Sequence, residues 1–547
     1  MAVTRTTRLT GGQALVQTLR AQGVEVVFGL PGVQLDWAFD ALYQERDAIT
    51  VYHTRHEQAT SYMADGYART AGRVGVCLVV PGPGLLNAMA GLATAYACSS
   101  PVVCLAGQIP SKEIGSGRGH LHEIKDQLGA VRSVTKWAAR ASRPEDVPGT
   151  VREAFRQVLT GHVRPVAIEV PLDVLQSVAD VVPAERVEVA RQAGDPELIE
   201  RAAQAFGEAQ RPIIFAGGGV IQSGAWEPLR HLAEMLQAPV ILSPSGKGAL
   251  SDRHELACGM LAAQDLLPGS DVVLVVGTRF LQPAKSTWGP RDGQTLVQID
   301  IDPEEIGRNC PVAIGIAADA GWALEALAGR LSRHNRRRDS RRDELTAAKR
   351  TAHERLQALE PQASFAAAIR AALPEDGILV AEITQVGYWA GYGFPVYQPR
   401  TLITAGYQGT LGYGFATALG AQVAAPGRKV VSINGDGGFM YNVEELATMV
   451  RHRLPVVVVV FNDNAFGNVR RIQRESFGGR VIASDLRNPD FVKLADAFGI
   501  DGRRAAGPED LRNALQTALR ADRPALIEVP VGEMPSPWPV IRAGWRG

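Results

Sequence analysis

Two acidic residues in this 547-residue chain are best placed to do chemistry, because each follows an apolar run. The run 429–433 leads into Gly435-Asp436-Gly437-Gly438, and the run 456–461 leads into Asn462-Asp463-Asn464, with 27 positions between the two acids. With a helix between them, these runs predict parallel strands whose carboxyl ends face the ligand crevice of an α/β sheet. Two hard oxygen donors in such a crevice suit Mg²⁺ or Ca²⁺, and a cation of that kind typically holds a diphosphate. Gly437 and Gly438 would let backbone N–H groups approach phosphate oxygens at a helix start. A GDG alone is a turn. Strand, GDG, helix, strand and NDN in series make the diphosphate reading specific.

The elements that must position these residues alternate along the whole chain. Apolar strand-like runs, such as DVVLVVG and LPVVVVVFN, are separated by helical periodicity. That pattern predicts an α/β protein of three doubly wound parallel-sheet domains, with sheets covered on both faces. The expected boundaries are 1–185, 190–330 and 364–547, with 331–363 as linker. Residues 330–350 hold nine basic and three acidic residues and read as an exposed connection or surface helix. They lack interleaved aromatics for base stacking. Lys+Arg and Asp+Glu both number 57, which removes the bulk electrostatic argument for a nucleic acid or membrane partner. Five cysteines without a CxxC pair suggest buried thiols, and the N-terminus lacks an apolar signal core, so a cytoplasmic protein with a small-molecule substrate is expected.

The GDG…NDN segment resembles the thiamine diphosphate motif, GDG followed after about 25 residues by NN. The order of domains is similar to that of the acetolactate synthase / pyruvate oxidase / 2-hydroxyacyl-CoA lyase superfamily: pyrimidine-binding (1–185), central nucleotide-binding-like (190–330) and diphosphate-binding (364–547). The resemblance implies thiamine diphosphate and Mg²⁺, with Asp436, Asp463 and the Ala465 carbonyl on the metal. The family usually has Asn where Asp463 stands, so this chain keeps the oxygen donor and adds a charge. RHEQATSYMADGYARTAGRVGVCLVVPGPGLLN resembles the pyrimidine-domain signature and implies that Glu57 is the catalytic glutamate. A carboxylate bonded to the aminopyrimidine N1′ drives the imino tautomer that deprotonates the thiazolium C2. A helix N-terminal charge is the plainer account of an isolated Glu at this place. Pro83 and Asn87 match the loop near the pyrimidine, Thr384 and Gln385 a diphosphate-contacting loop. In AGYQGTLGYG, Gly409 would offer its carbonyl to the 4′-amino group and Leu411 would wedge beneath the bent cofactor.

The substrate region departs from the acetolactate synthase pattern. Leu30 and Gly32, in VFGLPG, match the family's opening turn. His122 and Glu123 stand where that family has Phe and Gln, and Arg471 stands where a Gln precedes a Trp. They could serve proton transfer or clamp a carboxylate; a loop ion pair and a solvated helix arginine are the alternatives. In the central domain GGGV, GTRF with Arg279, and QIDIDPEEIG resemble a nucleotide-binding centre, which in relatives holds FAD, ADP, CoA or nothing. The implied activity is decarboxylation of a 2-oxo acid with carboligation. A 2-hydroxyacyl-CoA lyase, a simple 2-oxo acid decarboxylase and a non-catalytic regulator of the same fold are the rivals, the last disfavoured by Glu57 and Asp436. The family's cofactor lies between subunits, which implies a homodimer or homotetramer.

Overall fold

Runs such as Val272–Val276 and Val457–Asn462 carry side chains too apolar for either face to meet water, and both are buried along their length. In the computed structural model, which describes residues 6–546, such runs form three six-stranded parallel sheets. The N-terminal sheet contains Val26–Gly29, Thr50–His53, Gly75–Val79, Val102–Gln108, Trp137–Arg140 and Val166–Pro171. Ranked by position in the chain, these strands lie in the order 2-1-3-4-6-5. The C-terminal sheet contains Ile378–Ala381, Leu402–Thr404, Val430–Gly435, Val457–Asn462, Asp501–Arg504 and Ala525–Pro530, and its order is again 2-1-3-4-6-5. The central sheet runs 3-2-1-4-5-6, the order of dinucleotide-binding sheets. A short antiparallel pair, Thr7–Thr10 with Val178–Val181, ties the start of the N-terminal domain to its end.

The two outer domains meet through helices Glu57–Ala71 and Tyr413–Ala424, each following the second strand of its sheet. Both are buried almost all round, so they have no solvent face and their composition shows little amphipathic period. Glycine lets their backbones touch. A Cβ on Gly66 would sit 2.0 Å from the Thr417 carbonyl oxygen, and one on Gly420 would sit 1.9 Å from that of Met63. One apolar core runs through this crossing, from Phe28 and Tyr62 to Phe415 and Phe439.

The basic stretch after the central domain is an irregular connection over 335–341 followed by a surface helix. Helix Arg342–Gln357 buries Leu345, Ala348, Ala352 and Leu356. Arg338 donates to the carbonyls of Ala209 (3.0 Å) and Phe206, Arg341 to that of Pro212 (3.2 Å), and Arg330 pairs with Glu200. These guanidinium groups are spent on the central domain. All five cysteines are free thiols, and among the described residues no helix is long and apolar enough to cross a membrane.

Candidate active site

Glu57 is the first residue of its helix, and His56 caps that helix by accepting from the Gln58 N–H (3.2 Å). Glu57 Oε2 accepts a hydrogen bond from Asn87 Nδ2 at 3.0 Å. Asn87 stands in helix Pro83–Ala97, with Pro83 at the first position, where a missing N–H costs nothing. The turn before it is held by the Gly82 N–H donating to Gln127 Oε1 (2.8 Å), and Gly82 sits at φ +59°. A Cβ at Gly84 would come 2.6 Å from Val80 Cγ2 and 3.4 Å from Glu57 Oε1, so the turn can press against the carboxylate only as glycine. From the other domain, Glu445 accepts from the Arg55 and His56 N–H groups, both at 2.9 Å. Burial pushes the Glu445 carboxyl up to about 7.

The second constellation lies at the carboxyl ends of Val430–Gly435 and Val457–Asn462. Asn488 Nδ2 donates to Asp436 Oδ2 (2.6 Å), Asn462 Oδ1 (3.0 Å) and Asn464 Oδ1 (3.4 Å). Oxygens of the GDG and NDN turns therefore converge on one donor. Burial raises the carboxyls of Asp436 and Asp463, and the Asp436 charge raises Asp463 further. The Ala465 N–H donates to Asp463 Oδ1 (3.2 Å), and a Cβ on Gly467 would lie 2.3 Å from Asp463 Oδ2. Gly437 and Gly438 open helix Asp436–Phe439; a Cβ on Gly438 would sit 2.5 Å from Glu382 Oε1.

Glu382 is fully buried, and burial pushes its carboxyl up to about 8. Its Oε1 accepts from the Gly412 N–H, and its Oε2 has no partner among the described residues. The Gly412 carbonyl accepts from Asn442 Nδ2 (2.6 Å), so the segment carrying Gly409 and Leu411 is clamped at its end. Gly409 itself, at φ +59°, faces open space. Thr384 caps helix Gln385–Gly393 by accepting from the Gly387 N–H (3.3 Å), and Gln385 Oε1 is buried without a partner.

The residues expected at the substrate divide. Leu30 and Gly32 lie against the end of the third strand: the Leu30 N–H donates to the Leu78 carbonyl (3.1 Å), and a Cβ on Gly32 would meet Val80 Cγ1 at 2.4 Å. His122 stands beside the same turn, with its ring Nδ1 on Gln34 Oε1 (2.9 Å) and its carbonyl 2.3 Å from where a Gly82 Cβ would be. Glu123 turns away from it. That carboxylate accepts from the N–H groups of His120 (3.0 Å), Gly117 (2.8 Å) and Gly119 (2.8 Å), which hold it below the usual carboxylate range. His122 and Glu123 are thus not a pair. Arg471 donates to Glu475 (2.7 Å) and Asn468 (2.9 Å), while its Nε is buried without a partner.

A cavity of about 980 Å³ extends from the central domain's glycine turn at Gly218 and Gly219, past Arg279 and Asp300, to Glu382 and Tyr388. Arg279 stacks over the Tyr407 ring at 4.4 Å and so joins the central domain to the Gly409 segment. Burial pushes the Asp300 carboxyl up to about 6.

Sequence reasoning missed Glu382, Glu445 and Asn488. A carboxylate ending the apolar run GILVAE is a usable signal for Glu382. RNPD, which contains Asn488, carries none.

Comparison with known proteins matches the order of the three domains. Models of the thiamine pyrophosphate enzyme match in three parts: the N-terminal TPP binding domain at residues 9–130, the central domain at 199–327, and the C-terminal TPP binding domain at 382–529. A probable acetolactate synthase large subunit of Methanocaldococcus jannaschii is 36% identical over 95% of this chain and 91% of its own. A probable 2-ketoarginine decarboxylase of Pseudomonas aeruginosa is also 36% identical, over 95% of this chain and 94% of its own. The acetolactate synthase isozyme 2 large subunit of Escherichia coli is 32% identical over 98% of both chains.

Proposed function

Because the chain belongs to the thiamine pyrophosphate enzymes and is a thiamine diphosphate-dependent enzyme, we propose that it decarboxylates a 2-oxo acid and joins the remaining acyl fragment, which keeps the electron pair of the broken bond, to an acceptor carbonyl, as an acetolactate synthase does. The observation that carries this reading is the Glu57–Asn87 pair at the mouth of the N-terminal sheet, in a chain collinear with acetolactate synthase large subunits. Bound thiamine diphosphate supplies the electron sink for breaking and making the C–C bond.

The residues fit that group. Asp436, Asp463 and the Ala465 carbonyl would hold Mg²⁺, since a buried and a half-buried carboxyl among further oxygens make a hard donor set that a dication neutralises. Gly437 and Gly438, at the start of helix Asp436–Phe439, would offer backbone N–H groups to the diphosphate. Gly409 and Leu411 would shape the ring system. Glu57 holds and moves the proton at the pyrimidine N1′: Asn87 fixes Oε2, and Oε1 accepts no hydrogen bond among the described residues. Pro83 and the Gly82 turn would fix where Asn87 stands. Leu30, Gly32 and His122 would border the substrate, and Arg471 would meet a substrate carboxylate by exchanging Glu475 or Asn468 for it.

No hydrogen bond within one chain joins Glu57 or Asn87 to the Asp436–Asp463 cluster. Helix Gly467–Ser476, next to that cluster, buries none of its residues, and Val469, Ile472, Phe477 and Ile482 are exposed beside it. Leu86 and Leu121 are exposed beside Asn87 and His122. This supports a homodimer, or a tetramer built from it, in which the Glu57 side of one copy completes the Asp436 side of another. The central domain's glycine turn at Gly218 and Gly219 would hold FAD, ADP or CoA, or that domain holds none of them.

The equal similarity to the 2-ketoarginine decarboxylase favours a second reading, a decarboxylase that protonates the fragment instead of ligating it. Protein loaded with thiamine diphosphate and Mg²⁺ is given pyruvate, longer 2-oxo acids and 2-hydroxyacyl-CoAs. Acetolactate-type products support ligation; an aldehyde with one CO₂ per substrate supports the decarboxylase; turnover of the CoA substrates alone overturns both.

A further inference from the structure

Ser99, His162 and Asp302 come from three separate connections and meet beside the central cavity. Ser99 follows helix Pro83–Ala97, His162 follows helix Val147–Leu159, and Asp302 follows the central strand Thr295–Asp300. Ser99 Oγ lies 2.9 Å from His162 Nε2, and His162 Nδ1 lies 3.1 Å from Asp302 Oδ2. Asp302 is itself oriented, since its Oδ1 accepts from the Glu304 N–H (3.0 Å). A single assignment satisfies the row: Nδ1–H donates to Asp302, and the Ser99 O–H donates to Nε2. Burial first, and the Arg164 guanidinium second, hold His162 below its ordinary value, so the ring is a neutral base at pH 7. The neighbouring Glu305 pairs through Oε1 with Arg308 (2.8 Å).

Ser99 adopts φ +55°, a left-handed conformation that costs a non-glycine residue energy and gathers at functional turns. Ser99, Gly161 and His162 all line the cavity of about 980 Å³. Lys136 Nζ gathers the carbonyls of Gln157 (2.7 Å), Thr160 (2.5 Å) and His162 (3.0 Å). In a trans peptide the N–H opposes the carbonyl, so the Gly161 N–H points away from Lys136. It forms no hydrogen bond among the described residues.

We propose that Ser99, His162 and Asp302 form a second, hydrolytic site that cleaves a small acyl ester or thioester entering this cavity. His162 Nε2 takes the Ser99 proton as Oγ bonds to the acyl carbon, and returns it to the departing alkoxide or thiolate. Water then attacks the acyl-Ser99, giving its proton to Nε2, which passes it back to Oγ. Ester and water become acid and alcohol, and no oxidant is required. The Gly161 N–H serves the developing oxyanion.

Protein loaded with thiamine diphosphate and Mg²⁺ is treated with a fluorophosphonate, and its peptides are mapped by mass spectrometry. In parallel, p-nitrophenyl acetate hydrolysis is followed in wild type, S99A and D302N. Expected are phosphonylation of Ser99 and a loss of hydrolysis of about 100-fold or more in S99A, with a smaller loss in D302N. The 2-oxo acid reaction of S99A stays unchanged, which separates this site from the proposed carboligase. Unlabelled Ser99, or hydrolysis equal in wild type and S99A, overturns the proposal.

Discussion

The N-terminal and C-terminal domains share the strand order 2-1-3-4-6-5 yet load different strand ends with chemistry. The N-terminal sheet places its acid after the second strand, where Glu57 begins a helix. The C-terminal sheet leaves that place to Gly412, whose N–H is bound by Glu382, and puts Asp436 and Asp463 after its third and fourth strands. One scaffold thus yields a proton-handling half and an oxygen-donor half, and the loops decide which.

The comparison breaks most sharply at Glu57. Glu57→Gln should lower turnover about 1,000-fold while calorimetry still records cofactor binding; turnover within tenfold of wild type would remove the proton role. On the other half, Asn488→Ala withdraws the donor that orients Asp436. A Mg²⁺ titration should then show half-activation at a concentration about 10-fold to 100-fold higher, with no such change in Glu57→Gln. The joint between the halves is tested by Gly420→Ala, whose new methyl meets the Met63 carbonyl oxygen at 1.9 Å. Thermal unfolding should show a loss of about 2 kcal/mol. A fully retained melting temperature would mean the helices can part.

A pH effect sharpens the same joint. Glu445 is raised from 4.5 to about 7, so the fold favours its neutral form. Its contribution to stability is full below pH 4.5 and is lost as pH rises through about 7. The melting-temperature advantage of wild type over Glu445→Gln should therefore shrink between pH 4.5 and 7. The smallest effect belongs to Glu123→Gln, which weakens three bonds in an exposed loop; the melting temperature should hardly move and 2-oxo acid turnover should change by less than twofold.

The sheets were legible because doubly covered parallel strands leave uninterrupted apolar runs. The plainer reading of Glu57 as a helix-start charge holds as far as it goes, since Glu57 begins helix Glu57–Ala71. Asp436 and Asp463 were visible because both sides of the motif lie within one strand–helix–strand unit. Asn488 was not, since it reaches Asp436 from 52 positions downstream in a loop without period. Glu445 was hidden for the same reason, its partners Arg55 and His56 being 390 and 389 positions away. His122 and Glu123 looked like a pair because adjacent residues share a loop. The left-handed backbone of His122, φ +71°, sends the two side chains to different partners.

The Gly66–Gly420 crossing bears on how this molecule could be recombined with its relatives. Where two backbones touch without side chains between them, neither helix can be exchanged alone, since a donor helix carrying an alanine would collide with the resident carbonyl. A chimaera cut at the domain linkers separates the crossing; one that moves Glu57–Ala71 and Tyr413–Ala424 together preserves it. The unit of modular exchange is therefore a pair of helices more than 300 positions apart, which an ordinary single-crossover library cannot transfer intact.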